Sequence, residues 1–265
     1  MADIFAAAIL GIVEGVSEFM PISSSTHLVL TDFLLKSGLT DHSVLMTTIQ
    51  FAAILAILIY YRNFFWHMVT RFFSDRVAKL NFLRLFIVCL PFAVVGLITK
   101  PYITRSWLES IPSMGIWLVL GGVVMLLFSS YKKDCPKHCR IQDIPITTAC
   151  FIGLIQVLAL IPGFSRSAVT IIAGLWLGLD RKTAVEFSFL SAVPLLFAAT
   201  IYTFLTASQH QFVLENELIT AFICALIVAL ILAPYILRFI ILYGLVWFGW
   251  YRVCLGSAII IWWVF

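Results

Sequence analysis

The first chemically promising segment of this sequence carries two carboxylates close to a cluster of polar residues. Glu14 and Glu18 are spaced four residues apart, so a helix would place both carboxylates on one face. Hard oxygen ligands of this type suit Mg²⁺ or Ca²⁺, and an acid/base pair is a second functional interpretation. Structural ion pairing with Arg166 or Arg252 is the alternative. We predict that Glu14 and Glu18 hold a divalent cation.

Hydroxyl groups and one imidazole follow these carboxylates at once. Ser23, Ser24, Ser25 and Thr26 directly precede His27. At a helix break, such hydroxyl residues usually cap the next helix. Beside an imidazole, they also offer a hydroxyl nucleophile with a base, or hydroxyl donors around a histidine nucleophile. The pattern therefore leaves a capping role, a serine nucleophile and a histidine nucleophile open.

A second polar segment lies far along the chain and is suited to bind an anion. Gly163, Ser165, Arg166 and Ser167 stand at the start of an expected helix, and Thr170 falls in its first turn. Backbone N–H groups at a helix N-terminus bind phosphate, and a guanidinium adds a planar pair of donors. Together with the opposed Glu, Ser and His residues, this segment indicates phosphoryl chemistry.

Composition shows which solvent the elements carrying these residues must meet. The chain has 265 residues, of which 62% are hydrophobic and 11% charged, with a formal net charge of +4. A typical soluble domain is about 45–50% apolar and about 25% charged. An ordinary soluble globule is therefore excluded, and a nucleic-acid partner is excluded because no segment is densely basic. The length provides six to eight membrane spans in one domain.

Six apolar stretches are predicted to span a bilayer. They comprise residues 43–61, 85–99, 113–131, 184–207, 218–237 and 239–265. Two further apolar segments, 4–35 and 144–179, are each broken by proline and hydroxyl residues. Proline removes a backbone donor and disfavours helix at the preceding residue, and unpaired backbone at membrane depth must be buried or line a wet cavity. Each segment is therefore one kinked span or two short helices that enter and leave on the same side.

Basic residues favour the second of these alternatives. The loops at 62–84 and 132–140 are rich in Lys and Arg, which assigns them to the cytoplasm. If segment 144–179 is re-entrant, Arg181 and Lys182 also fall on the cytoplasmic side. If it spans the bilayer, they are external. The re-entrant interpretation agrees better with the positive-inside rule.

The predicted fold is an all-α polytopic membrane protein with an inverted-topology repeat, six spanning helices and two re-entrant helix hairpins. The single membrane domain, 1–265, divides into repeat one at 1–131, a basic cytoplasmic linker at 132–143 and repeat two at 144–265. The sequence GIVE at 11–14 matches GLIQ at 153–156, which supports the repeat. The first hairpin would dip from outside and the second from the cytoplasm, and broken helices that meet near the midplane build the site.

Ionisable residues at membrane depth are costly, by about 2.5 kcal/mol or more, and usually face a cavity or a partner. Besides the residues above, Glu186 and Arg252 belong to this group, and we interpret both as structural.

The two polar segments resemble the signatures of a known family, the undecaprenyl-diphosphate phosphatases of the bacitracin-resistance type. The first signature reads EGVSEFMPISSSTH at 14–27, and the second reads PGFSRS at 162–167, followed by EFSF at 186–189. The resemblance covers nearly the whole chain. It implies a membrane enzyme that removes the terminal phosphate of a C55 lipid diphosphate carrier and so recycles this carrier for cell-wall synthesis. It also implies a divalent-cation requirement and a bacterial inner-membrane location, with the active site open to the periplasmic or outer face.

The resemblance also assigns roles to residues. The family's essential residues fall on Glu14, Glu18, Ser24, His27 and Arg166. Ser24 becomes the preferred nucleophile, with His27 assisting proton transfer, and direct attack by His27 is the alternative. Substrate contacts are expected from a second set of residues: Ser23, Ser25, Gly163, Ser165, Ser167 and Thr170.

Two positions depart from the family's usual pattern. The family has Thr-Gly where this chain has Ser25-Thr26, and Gly where it has Ala168. A β-branched Thr26 disfavours positive φ, so the departure concerns the shape of the first loop.

The expected partners are a polyprenyl diphosphate and membrane lipids, and a homodimer is among the oligomeric states left open. A transporter or lipid flippase is the rival function, because broken helices in inverted repeats are also the architecture of alternating access. A carrier has no need of a Ser/His pair beside carboxylates and an Arg. This pairing favours the enzyme.

Overall fold

The computed structural model describes residues 2–37, 39, 43–103, 110–129, 138–207 and 215–265. Within these ranges the protein is helical and contains no β-strand. The helices are α1 (Ala2–Ser17), α2 (Ser24–Leu35), α3 (Ser43–Tyr60), α4 (Arg62–Thr70), α5 (Arg76–Ile103), α6 (Ile111–Ser129), α7 (Ile146–Gln156), α8 (Arg166–Trp176), α9 (Arg181–Thr206), α10 (Glu215–Tyr243) and α11 (Val246–Val264). Positions 132–137 of the predicted linker lie outside the described residues.

Six of these helices are long and apolar enough to cross a membrane, which confirms the predicted polytopic all-α class. The candidate spans are Ser43–Tyr60, Arg76–Thr99, Ile111–Phe128, Arg181–Thr206, Asn216–Tyr243 and Val246–Val264. Large apolar side chains on these helices are exposed, as Leu97 and Ile219 illustrate. Such faces suit lipid and not water.

The predicted last span, 239–265, begins too early. Helix α10 continues to Tyr243 and ends at Gly244, whose φ of 76° is a left-handed conformation that terminates helices. Helix α11 then begins at Val246. The turn therefore falls inside the predicted span, because apolar residues lie on both sides of Gly244 and hydropathy does not register the turn.

Both predicted breaks are present. Helix α1 ends at Ser17 and α2 begins at Ser24, while α7 ends at Gln156 and α8 begins at Arg166. The residues that precede α2 and α8, Ser23 and Ser165, adopt φ values of 74° and 64°. Positive φ is uncommon for residues other than glycine. The two breaks thus resemble each other in backbone conformation as well as in composition.

The two ends of the second broken segment lie side by side. The backbone N–H of His138 donates to the Gly178 carbonyl at 3.2 Å, and the N–H of Asp180 donates to the His138 carbonyl at 3.0 Å. In the first segment, Leu39, beyond the end of α2, belongs to the same buried cluster as Ala6, near the start of α1. In each broken segment the two helices also pack against each other, α1 on α2 and α7 on α8. A re-entrant hairpin that enters a bilayer from one side stays a prediction.

Packing between the helices follows the same pattern in both parts of the chain. Helix α1 packs on α10 as α7 packs on α5, while α3 contacts α9 and α6 contacts α11. A Cβ added at Gly11 would overlap the Ala221 carbonyl oxygen, and one added at Gly153 would lie 2.6 Å from that of Val88. This is the pairing that two related halves would produce. Their inverted relation stays a prediction.

Candidate active site

A polar cavity of about 130 Å³ lies where the two breaks meet. Helices α2 and α8 both begin at its wall, so their N-terminal backbone N–H groups and positive dipole ends favour an anion inside it. Eight of the predicted site residues line this cavity: Glu18, Ser23, Ser24, Ser25, Gly163, Ser165, Arg166 and Ser167. Tertiary folding thus joins the two segments that the sequence pattern singled out.

Glu18, Ser24 and Arg166 form a connected cluster in this cavity. The Ser24 hydroxyl donates to Glu18 Oε2 at 2.6 Å, and Arg166 Nη2 donates to Glu18 Oε1 at 3.1 Å. A second donor of the guanidinium, Nη1, reaches the Ser188 carbonyl at 3.1 Å. The side chains of Arg166 and Glu18 are only 12% and 10% exposed. This geometry gives Ser24 a carboxylate acceptor for its proton and fixes that carboxylate with a guanidinium.

Glu14 does not line the cavity, although it lies one helical turn before Glu18, which does. Its side chain is fully buried, and neither carboxylate oxygen accepts a hydrogen bond from the described residues. Buried polar atoms are normally satisfied, so these oxygens require a proton or a cation. Glu18, one turn further on, carries the Arg166 ion pair instead. The predicted structural pairing of a carboxylate with Arg166 therefore holds for Glu18.

A metal ion fits the chemistry of these two carboxylates. Glu14 provides buried oxygens without a hydrogen-bond donor, and Glu18 provides a carboxylate at the cavity wall. Mg²⁺ is usually bound by one or two carboxylates together with substrate phosphates and water. The described residues contain no cluster of three or more His, Cys, Asp or Glu side chains, so phosphate oxygens would have to complete the coordination.

The hydrogen bonds of His27 go to residues other than Ser24, and its part in proton transfer stays a prediction. Its Nδ1 lies 2.8 Å from the Ser23 carbonyl, and its Nε2 lies 2.7 Å from the Tyr251 hydroxyl. A carbonyl only accepts, so Nδ1 carries the proton, and in a neutral ring Nε2 accepts from Tyr251. The His27 ring thus hydrogen-bonds to Tyr251 of α11, while the Ser24 hydroxyl hydrogen-bonds to Glu18.

Thr170 does not line the polar cavity, and its contact with the substrate stays a prediction. It is 2% exposed and is absent from the cavity wall. Its hydroxyl donates to the Arg166 carbonyl at 2.9 Å and lies 2.5 Å from the Ser188 hydroxyl. Thr170 lies one turn into α8, and its side chain does not face the cavity at the helix N-terminus. Thr170 thus stabilises the first turn of α8, which carries Arg166.

Three polar residues near the site had no predicted role. Gln50 lines the cavity from α3, Ser188 contacts both Arg166 and Thr170, and Tyr251 holds His27. Each is a polar residue within an otherwise apolar span. This sequence feature could have identified Gln50 and Tyr251 as candidate site residues. Ser188 lies in the EFSF sequence on α9, and the membership of EFSF in the family signature is the sequence feature that could have identified it.

The two departures from the usual family pattern fall in helices. Thr26 and Ala168 are the third residues of α2 and α8, where φ is negative. The positive φ values within the two breaks belong to Ser23, Ser165 and Gly163. The departures therefore leave the turns of both breaks intact.

Fold and cavity together define a multi-pass membrane protein with a buried anion site suited to phosphoryl chemistry. A family profile described as "Bacitracin resistance protein BacA" matches residues 7–258, and the chain belongs to this family. The resemblance noted in the sequence is thereby confirmed.

Relatives of known name match over almost their full length. A protein from Persephonella marina named undecaprenyl-diphosphatase is 41% identical over 257 residues, covering 96% of both chains. Proteins with the same name from Sulfurihydrogenibium sp. and Aquifex aeolicus are 37% and 36% identical, covering 97% and 94% of this chain and 98% and 94% of their own. The relatives thus carry the name of a phosphatase and not of a transporter.

Proposed function

We propose that this protein hydrolyses undecaprenyl diphosphate to undecaprenyl phosphate and inorganic phosphate. The observation that carries the proposal is the Glu18, Ser24 and Arg166 cluster in a cavity faced by two helix N-termini. Full-length relatives named undecaprenyl-diphosphatase support the choice of substrate. The transporter alternative has no comparable support.

Ser24 acts as the nucleophile. Its oxygen attacks the terminal phosphorus, the serine proton passes to Glu18 Oε2, and the bond between this phosphorus and the bridging oxygen breaks. Undecaprenyl phosphate leaves with the electron pair of that bond. Water then hydrolyses the phosphoserine and releases inorganic phosphate. Attack by His27 would first require its Nε2 to give up the hydrogen bond with Tyr251.

Arg166 and the two helix N-termini stabilise the negative charge of the transferred group. Donors fixed before the reaction stabilise charge that develops in the transition state, most strongly where water is scarce. Arg166 also holds Glu18 in position for the serine proton. Ser23, Ser25, Ser165 and Ser167 provide further hydroxyl donors at the cavity wall.

Glu14 and Glu18 would hold a Mg²⁺ or Ca²⁺ ion. Such an ion neutralises phosphate charge and polarises a phosphoryl oxygen when it is bound. The buried oxygens of Glu14 that accept no hydrogen bond from the described residues support this assignment.

The prenyl tail would occupy apolar space next to the polar cavity. Met20 is shared between the polar cavity and an apolar cavity of about 550 Å³ between α1, α10 and α11. Phe92 and Leu195 are shared with a second apolar cavity of about 450 Å³. Either one lets the diphosphate sit among hydroxyls while the chain of the lipid remains in apolar surroundings.

The orientation we propose places the active site toward the periplasmic or outer face of the bacterial inner membrane. Lys182 and Arg238 line one cavity with Tyr60, which brings the start of α9 and the ends of α3 and α10 to the same end of the molecule. Lys and Arg concentrate on the cytoplasmic side of membrane proteins. Recycling of the lipid carrier for cell-wall synthesis, and with it bacitracin resistance, would follow from this placement.

A phosphate-release assay tests the function and the nucleophile together. The purified protein in detergent is given undecaprenyl diphosphate with labelled terminal phosphate and Mg²⁺. We expect phosphate release by the wild type, loss of release in Ser24→Ala, and normal release in the control Ser74→Ala, whose side chain is exposed in a turn. An acid-stable phosphoserine should be trapped in the wild type. Acid-labile phosphohistidine would refute the serine mechanism, and a wild type that releases no phosphate would refute the function.

A further inference from the structure

Arg252 of α11 is fully buried and forms no ion pair with the described residues. Its guanidinium instead donates to four backbone carbonyls. Nη1 reaches the carbonyls of Pro21 at 3.3 Å and Phe164 at 3.1 Å, and Nη2 reaches those of Trp117 at 3.4 Å and Gly163. A buried cation at membrane depth is costly, so this arrangement needs a reason.

Three of the four carbonyls belong to the two breaks that frame the active site. Pro21 lies in the first break, Gly163 and Phe164 lie in the second, and Trp117 lies in α6. A broken helix leaves backbone oxygens without intrahelical partners, and at membrane depth the protein itself must satisfy them. Arginine is the side chain best suited to this task, because it offers five N–H donors in one plane and accepts nothing.

The turns of both breaks also need to be held by contacts from outside. Three residues in these turns, Ser23, Gly163 and Ser165, adopt left-handed conformations. Such conformations cost about 1–3 kcal/mol for residues other than glycine and persist only where the surrounding structure imposes them. The Arg252 guanidinium hydrogen-bonds to backbone carbonyls of both turns at once.

The α6 helix leaves room for this guanidinium at one position. A Cβ added at Gly121 would overlap Arg252 Nη2 and would lie 2.8 Å from its Cζ. Real Cβ contacts are never this short, so any residue larger than glycine at position 121 would displace the guanidinium. Gly121 and Arg252 therefore act as one unit.

We propose that Arg252 is a positioning residue for the hydrolysis reaction, one that fixes the two broken-helix turns so that Glu18 and Ser24 of one meet Arg166 of the other. Arg252 does not line the polar cavity. It acts through the backbone of both turns, and Gly121 makes this action possible. This inference rests on the proposed function.

The test compares Arg252→Met, Arg252→Lys and Gly121→Ala in the phosphate-release assay. Misplacement of catalytic groups by about 1 Å can cost about 100-fold in rate, so we expect kcat to fall about 100-fold in Arg252→Met and KM to change much less. Arg252→Lys, with one cationic head and fewer donors, should recover part of kcat. Gly121→Ala should lower kcat by at least about tenfold, because it displaces the same guanidinium.

Two control variants and a double mutant separate positioning from general stability. Arg238→Met and Ser74→Ala change an exposed arginine and an exposed serine outside the cavities assigned to the substrate, so both should retain wild-type kcat. In the double mutant that combines Gly121→Ala with Arg252→Met, kcat should be almost the same as in Arg252→Met alone. A role in stability alone predicts losses that track the unfolding temperature and multiply in the double mutant.

The outcomes distinguish this inference from the function on which it rests. A wild type without phosphate release overturns the proposed function. An active wild type with kcat within threefold in both Arg252→Met and Gly121→Ala overturns the positioning role. If Arg252→Met does not fold, Gly121→Ala decides alone, since it retains the arginine: a normal kcat in that variant also overturns the role.

Discussion

Replacing Arg166 by Lys keeps the positive charge in the cavity but removes the planar pair of donors that the structure uses. The guanidinium spans Glu18 Oε1 and the Ser188 carbonyl, each at 3.1 Å, through two different nitrogens. An ammonium group is a single compact charge and cannot hold both partners in this geometry. Glu18 would keep a counter-charge and lose its fixed orientation toward Ser24.

The expected size of this effect follows from the hydrogen bonds that the substitution removes. A hydrogen bond to a charged group contributes about 1.5–3 kcal/mol, and each 1.36 kcal/mol in the barrier is a factor of ten in rate. Removal of one such hydrogen bond, in a site that is only about one-tenth exposed, predicts a kcat/KM lower by about 10- to 150-fold. Because the charge stays, the unfolding temperature should change little.

The measurement is kcat/KM for phosphate release from undecaprenyl diphosphate, with Arg140→Lys as the matched control. Arg140 also donates to a carboxylate, Asp143 Oδ2 at 3.0 Å, but its side chain is 70% exposed. Exposed pairs contribute about 0–1 kcal/mol, so the control should retain wild-type turnover. A kcat/KM near the wild-type value in Arg166→Lys would refute the role given to the guanidinium pair.

Three further predictions concern the cation and His27. Glu14→Gln should abolish phosphate release yet shift the unfolding midpoint by no more than about 2–4 °C, since Gln156, the residue that matches Glu14 in the GIVE and GLIQ sequences, is a fully buried glutamine. A Glu14→Gln variant with normal turnover would contradict the metal assignment. Removal of divalent ions by a chelator should stop phosphate release, and added Mg²⁺ or Ca²⁺ should restore it; undiminished turnover in the chelator would count against a required metal. Tyr251→Phe removes the hydroxyl that lies 2.7 Å from His27 Nε2. We expect kcat/KM to fall about threefold to tenfold, which corresponds to the loss of one neutral hydrogen bond. An unchanged kcat/KM would show that this hydrogen bond is dispensable.

The sequence predicted the elements well where local properties decide them. Proline together with hydroxyl residues located both breaks, because proline removes a backbone donor and disfavours helix. Proline alone would not have located them, since Pro194 and Pro234 lie inside the continuous helices α9 and α10. Hydropathy located six spans but missed the turn at Gly244, since a single glycine between apolar residues does not change the average. The departure at Thr26 looked important for the first loop, although the positive φ belongs to Ser23.

Residue roles were harder to predict because they depend on side-chain direction. Ser24 and His27 are three residues apart on α2, so a serine–histidine pair looked natural. The structure turns Ser24 toward Glu18 and His27 toward Tyr251, which lies 224 positions further along the chain. Rules based on the spacing of residues in the sequence do not predict a contact between residues so far apart in the chain.

The amino-acid sequence by itself determined that the protein resides in lipid, that two of its apolar segments are broken, and that scarce charges gather at those breaks. These properties are local, since they follow from composition and from the few residues around each proline. Only the tertiary structure decided that Glu18 and not His27 receives the Ser24 hydroxyl. It also decided that Arg166 binds the carboxylate of Glu18, which lies 148 positions earlier in the chain. It decided as well that Arg252 binds backbone carbonyls and not a carboxylate. Such partnerships depend on which helices pack together, and packing is a property of the whole chain.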